Sequence, residues 1–285
     1  MIKELNFKIS GFADEINPDF SVQLEFLNKL NVNYMEIRGV NGKNIASLSL
    51  DEVKEIKKQL DEAGVKISSV GSPIGKADLD KHEEDFEKFK HVVEIAKILE
   101  TKYIRMFSFF IPEGKTKEDV QEEVLTHLKT MIDYAKENDV VLLHENEKGI
   151  FGDTLESCLY IMENLCCENF KACFDFANFI QCDVETVNAY QKLKPFIEYV
   201  HIKDAIGAKV VAPGMGDGEL ETIIGDILND GYAGFFSLEP HLTNFFGFAQ
   251  LENGSDEKEQ KANDGKLAWW TALNSFKAIV YNIQN

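Results

Sequence analysis

Hydrophobic positions along the chain gather into short runs rich in β-branched and aromatic residues. Longer charged segments with a helical period separate them. The runs begin near Phe7 (FKISGF), Asn33 (NYMEIR), Lys66 (KISSVG), Tyr103 (YIRMFSFF), Val140 (VVLLHE), Lys171 (KACFDF), Glu198 (EYVHIK) and Phe235 (FFSLEP). Each interval has room for one helix plus loops, as a βα unit requires. From Leu50 to Leu60 the apolar residues recur with helical spacing; Ser49 followed by Glu52 reads as a capping box and Gly64 as a stop. His82–Leu99 and Thr116–Glu137 read as helices too, the second opening on Thr116 before acidic residues. Eight such units without a linker predict one α/β domain over residues 1–285, a closed (β/α)8 TIM barrel. An open doubly wound sheet is the alternative. No GxGxxG follows the first strand, which removes its dinucleotide-binding form.

Two segments break the rhythm. Ala212 to Glu219 is a glycine-rich loop after the seventh run, whose amides could accept a phosphate, although Asp217 and Glu219 oppose one. A longer stretch, about Thr243 to Lys266, follows the eighth run and carries Phe245-Phe246-Gly247-Phe248. Loops of that length in a compact domain are often functional, so an aromatic lid and a subunit contact are both open readings.

Charge narrows the partners. Thirty basic and 49 acidic residues give a net charge of −19, which repels nucleic acid and suits a small, uncharged substrate. Five cysteines without a CxxC, no secretory profile at the N-terminus and no apolar run near the roughly 18 residues that span a bilayer point to a cytoplasmic protein with free thiols. A homo-oligomer is open on general grounds.

The chemistry lies where the last four runs end: His144-Glu145-Asn146-Glu147, Phe174-Asp175-Phe176-Ala177-Asn178, His201-Ile202-Lys203-Asp204 and Leu238-Glu239-Pro240-His241. Strand ends of a barrel share one rim, so these ionisable groups converge. Crowded carboxylates repel one another, and a divalent cation relieves that repulsion. Three carboxylates (Glu145, Asp175 and Glu239) with one imidazole (His201) suit Mn²⁺, with Mg²⁺ or Co²⁺ as alternatives, better than a thiolate-rich zinc site. Strand alternation turns His144 away from the lumen, and His82, His91 and His127 are expected to face solvent from helices.

These strand ends resemble the xylose isomerase-like superfamily, in its sugar isomerase and epimerase branch. Ser10-Gly11-Phe12-Ala13-Asp14-Glu15, Glu36-Ile37-Arg38-Gly39 and Gly214-Met215-Gly216-Asp217-Gly218 extend the likeness along the chain. The resemblance implies that Glu145, Asp175, His201 and Glu239 bind one metal ion, and that Glu145 and Glu239 flank the substrate carbon as an acid/base pair. The chain departs from related epimerases at Glu147, where Glu-Asn-His is frequent, and at Asn178, where Asp-x-x-His is frequent. Both positions face substrate in the branch, so they are candidates for substrate choice. His241, Glu36, Arg105 and Lys203 are further candidates for holding substrate oxygens, with an outward direction left open for Lys203.

The expected activity is a sugar isomerase or epimerase working through an enediolate. A lyase performing β-elimination on a keto sugar or keto-glycoside shares the first step and is the alternative. A DNA repair endonuclease would need more histidines at the rim and a basic face. A non-catalytic binding protein is the remaining reading.

Overall fold

The structure is a computed structural model that describes residues 6–243 and 264–285. Its strands are β1 (Lys8–Gly11), β2 (Tyr34–Ile37), β3 (Lys66–Gly71), β4 (Tyr103–Met106), β5 (Val141–Glu145), β6 (Phe170–Asp175), β7 (Ile197–Ile202) and β8 (Phe235–Leu238). They pair in parallel in the order β1-β8-β7-β6-β5-β4-β3-β2. A bridge between Phe12 and Glu36 joins β1 to β2 and closes the ring. All eight expected strands are present, and the open-sheet alternative falls.

The helices follow from local chemistry. They are α1 (Phe20–Lys29), α2 (Leu50–Ala63), α3 (His82–Ile98), α4 (Lys117–Glu137), α5 (Leu155–Leu165), α6 (Phe176–Gln181), α7 (Thr186–Leu193), α8 (Leu220–Asn229) and α9 (Asp264–Gln284). Ser49 and Glu52 form the expected capping box, and Gly64 ends α2 in the left-handed region at φ 68°. Thr116 caps α4 in the same way, with Asp119 as its reciprocal partner. Val53, Ile56 and Leu60 bury one face of α2 while its lysines and acids stay outside.

Two irregularities of register carry functional weight. Between β6 and β7 the pairing moves from Ala172–Ile197 to Cys173–Tyr199, so Glu198 is an extra residue in β7. The bulge sets Asp175 opposite His201 rather than one residue off, and a slip of one would turn His201 out of the lumen. In β3, Ser68 is extra in the same sense and brings Glu36 opposite Ser69.

The α9 helix plugs one side of the barrel. Its Trp269 donates Nε1–H to the Phe12 carbonyl at 3.1 Å. A Cβ on Gly11 would lie 2.8 Å from the Trp269 ring, so this close approach requires glycine.

One expectation meets a different outcome, an open one is settled, and a third lies outside the described residues. His82, His91 and His127 are half-buried rather than fully turned to solvent: the rings of His82 and His127 stack at 3.5 Å between α3 and α4, and His91 Nε2 donates to the Leu48 carbonyl at 2.8 Å. Lys203 points inward, as the site below shows. The stretch from Thr243 to Lys266 lies outside the described residues for 244–263, and with it the aromatic lid.

Candidate metal centre

Glu145 ends β5, Asp175 ends β6, His201 lies near the end of β7, and Glu239 follows β8. One ligand atom from each lies within 4.8 Å of the others, and all four residues are buried. His201 Nδ1 is 3.1 Å from Glu145 Oε1, 3.6 Å from Glu239 Oε2 and 3.8 Å from Asp175 Oδ2. The convergence expected of the four strand ends is therefore present.

Surrounding groups fix which atom each residue offers. His201 Nε2 faces Glu36 Oε2 at 3.1 Å, and Ser237 donates its hydroxyl to the same oxygen at 2.6 Å. A carboxylate behind an imidazole orients the ring, leaving Nδ1 as the atom turned to the cluster, where it would present its lone pair to a bound ion. Glu36 thus sits behind His201 rather than at the cleft. Asp175 Oδ1 accepts the Asn178 backbone N–H at 2.7 Å as the cap of α6, so Oδ2 is left for the centre. Glu239 Oε1 is held by Arg38 at 3.2 Å and His241 at 3.1 Å, which leaves Oε2. Asn178 Nδ2 donates to Glu145 Oε1 at 3.1 Å, and Arg105 Nε lies 3.2 Å from Glu145 Oε2.

The protonation pattern follows from these neighbours. Burial would raise the Glu145 carboxyl, but His201 and Arg105 outweigh it and hold it at about 2. Burial pushes Asp175 up to about 7 even though Lys203 opposes the shift, because Glu239 and Glu145 add their repulsion. For Glu239, burial is overcome by Lys203 and His241, and its carboxyl lies well below the usual range. Burial disfavours a cationic His201, yet the Cys173 sulfur and the carboxylates of Glu145 and Glu36 reverse that and raise it well above an ordinary histidine.

This donor set fits a divalent ion. Three buried carboxylates and an imidazole supply hard oxygens and one nitrogen, and the fully buried Asp175 Oδ2 meets the Lys203 ammonium at 3.2 Å. A second group, Glu15, Glu239 and His241, is equally compact. There Arg38 already supplies the cation: its Nη2 is 3.2 Å from Glu15 and its Nη1 3.2 Å from Glu239, while Nε reaches Asp14 at 2.8 Å.

A narrow cleft opens onto the cluster, lined by Lys76, Arg105, Phe107, Glu147, Asn178, Lys203 and His241 beside the acids. Glu147 and Asn178, read as substrate-facing, do line it, with Glu147 paired to Lys76 at 2.6 Å. Sequence reasoning left the direction of Lys203 open and missed two participants, Arg38 and Glu15. Lys203 Nζ lies 3.1 Å from Glu239 and 3.2 Å from Asp175. Counting by two from His201 places it on the lumen face, so the signal was there. Arg38 and Glu15 gave no such signal, because their partners are more than 20 residues away or on other strands. The glycine-rich loop does not offer its amides: Asp204 accepts from the backbone of Gly214, Gly216 and Gly218 at 2.9–3.1 Å, filling the place proposed for a phosphate.

Fold and strand-end groups together define a (β/α)8 barrel with a candidate metal centre on its C-terminal rim. The chain belongs to the xylose isomerase-like TIM barrel family, whose profile matches residues 24–267. Among solved structures it is similar to the IolI protein with a bound zinc atom, at 19% identity and TM-score 0.74, with 97% of this chain and 99% of that one covered. It is also similar to an L-ribulose 3-epimerase, at 14% identity and TM-score 0.73, covering 99% and 96%. A 3-keto-D-glucoside 4-epimerase, YcjR from E. coli, aligns at 15% identity and TM-score 0.66 over 95% and 100%. At these identities the likeness is one of fold. A comparison with curated proteins gives no match.

Proposed function

We propose that the chain is a divalent-metal-dependent sugar isomerase or epimerase that moves a proton on the carbon beside a keto group. The observation that carries this reading is the grouping of Glu145, Asp175, His201 and Glu239 at one buried point below an open cleft. Asp175 and His201 anchor the ion, with Glu145 and Glu239 as the remaining ligands; Mn²⁺ suits this set, as do Mg²⁺ and Co²⁺. When bound, the ion polarises the substrate carbonyl and steadies the negative charge that follows proton loss.

The other steps belong to the protein. Glu145 and Glu239 stand at the ends of β5 and β8, the outer two of the four consecutive strands that supply the centre, and both are held as carboxylates. One accepts the carbon-bound proton and later loses it to solvent, while the other takes a proton from solvent and returns it to carbon. Return to the same carbon from the other face inverts it; return to the neighbouring carbon exchanges aldose and ketose. Arg105 and His241 stand at the cleft to orient substrate oxygens, and Glu147 and Asn178 shape the substrate entrance. Among the described residues, Lys76 and Arg105 in the cleft are each engaged by a carboxylate. Neither is uncommitted for a phosphate, and the favoured substrate is an uncharged keto sugar or keto-glycoside. The family and the likeness to an L-ribulose 3-epimerase and a 3-keto-D-glucoside 4-epimerase support the same class.

The test is exchange of the α-proton in D₂O, followed by NMR across uncharged keto sugars and keto-glycosides with added Mn²⁺. Exchange with retention of all substituents supports the reading. Loss of a β-substituent in its place would assign the chemistry to a lyase, and no exchange with any substrate would overturn proton transfer.

A further inference from the structure

Lys203 occupies an unusual place for a cation. Its ammonium lies 3.2 Å from Asp175 Oδ2 and 3.1 Å from Glu239 Oε2. These are the two oxygens their neighbours leave free, since Asp175 Oδ1 is bound to the Asn178 amide and Glu239 Oε1 to Arg38 and His241. Any ion held by Asp175 and Glu239 must use those same oxygens. The Lys203 side chain is buried, so its charge cannot be screened by water where it stands. An ammonium and a divalent ion repel one another at such range, and both compete for the same lone pairs.

We propose that Lys203 is a built-in placeholder for the divalent ion: it bridges Asp175 and Glu239 in the metal-free site and withdraws from that bridge when the ion enters. The arrangement keeps the crowded carboxylates folded without metal and lowers metal affinity in exchange. Withdrawal frees Nζ beside the cleft it already lines, where it can donate to a substrate oxygen. The inference rests on the metal site proposed above but not on the reaction.

The sign of one effect separates a placeholder from an ordinary structural ion pair. Lys203→Met keeps the side chain's bulk and removes its charge. A placeholder predicts that the variant binds Mn²⁺ about tenfold more tightly than the parent while its metal-free melting temperature falls; removal of like-charge repulsion is of that order. Lys203→Arg restores the charge and returns the affinity toward the parent value. Mn²⁺ binding by calorimetry, with metal-free Tm from the same preparations, reads both quantities without any substrate. If metal-free Lys203→Met does not stay folded, the protein is purified with Mn²⁺ and its affinity taken from competition with a chelator. Equal or weaker Mn²⁺ binding by Lys203→Met overturns the placeholder while leaving the metal site standing. Absence of Mn²⁺ binding by the parent overturns both.

Discussion

At the C-terminal end of the barrel, Glu145, Asp175, His201 and Glu239 press like charges together in a buried space, with Lys203, Arg38 and Arg105 wedged among them. At the N-terminal end, Tyr103, Tyr199 and Phe235 pack at ring separations of 5.6–6.4 Å over Val141, Leu143 and Cys173. Between the two ends a hydroxyl layer, Ser10 to Ser68 to Tyr199, separates charge from rings. One end gains its free energy from burying apolar surface. The other loses some of that free energy to hold chemistry in place. The contrast explains how one barrel tolerates so costly a rim: it sits on a floor that packs well, and the strand ends, not the strands, carry the function.

Mutations can break this contrast in graded steps. Glu145→Gln and Glu239→Gln should each lower α-proton exchange by about 10²–10⁴-fold, the range for a general acid or base. Each should also lower metal-free stability, because it leaves buried cations without a counter-charge: Arg105 and His201 in the first, Arg38, Lys203 and His241 in the second. Exchange assayed with the denaturation midpoint reads both sides; wild-type exchange in either variant would remove that residue from proton transfer. Phe235→Ala should separate the two. It should cost about 3–5 kcal/mol of stability, as large-to-small changes in packed cores do, with exchange by the folded fraction unchanged. Chemical denaturation checks the first and the per-molecule rate the second. Glu36→Gln tests the seam between the ends: it leaves the substrate cleft untouched but should weaken Mn²⁺ binding by about 10–100-fold, as loss of a carboxylate behind a ligand histidine does. Unchanged affinity would mean that His201 needs no such orientation.

The same contrast separates what the sequence showed from what it hid. The strands were legible because apolar runs keep a period set by the backbone, and the ligands because each run ends in an ionisable residue. Ser49 with Glu52 and Thr116 before acidic residues predicted their helix starts for the same local reason. The direction of Lys203 was left open despite a usable signal, since it stands two residues beyond His201 on the same face. Other features depended on contacts distant in sequence. The Glu198 bulge that levels His201 with Asp175 arises from sheet closure. Arg38 joins Asp14, Glu15 and Glu239 only once β1, β2 and β8 meet. Asp204 closes the glycine-rich loop by gathering its amides, which no spacing along the chain announces.

The central claim is that four strand-end residues form one divalent-ion site. Metal content after incubation with Mn²⁺ and removal of free ion, measured by elemental analysis on the parent and on His201→Ala and Asp175→Asn, tests it most directly. One equivalent in the parent and a large loss in both variants is the predicted result. The same stoichiometry in all three proteins, or no retained metal in the parent, would contradict it.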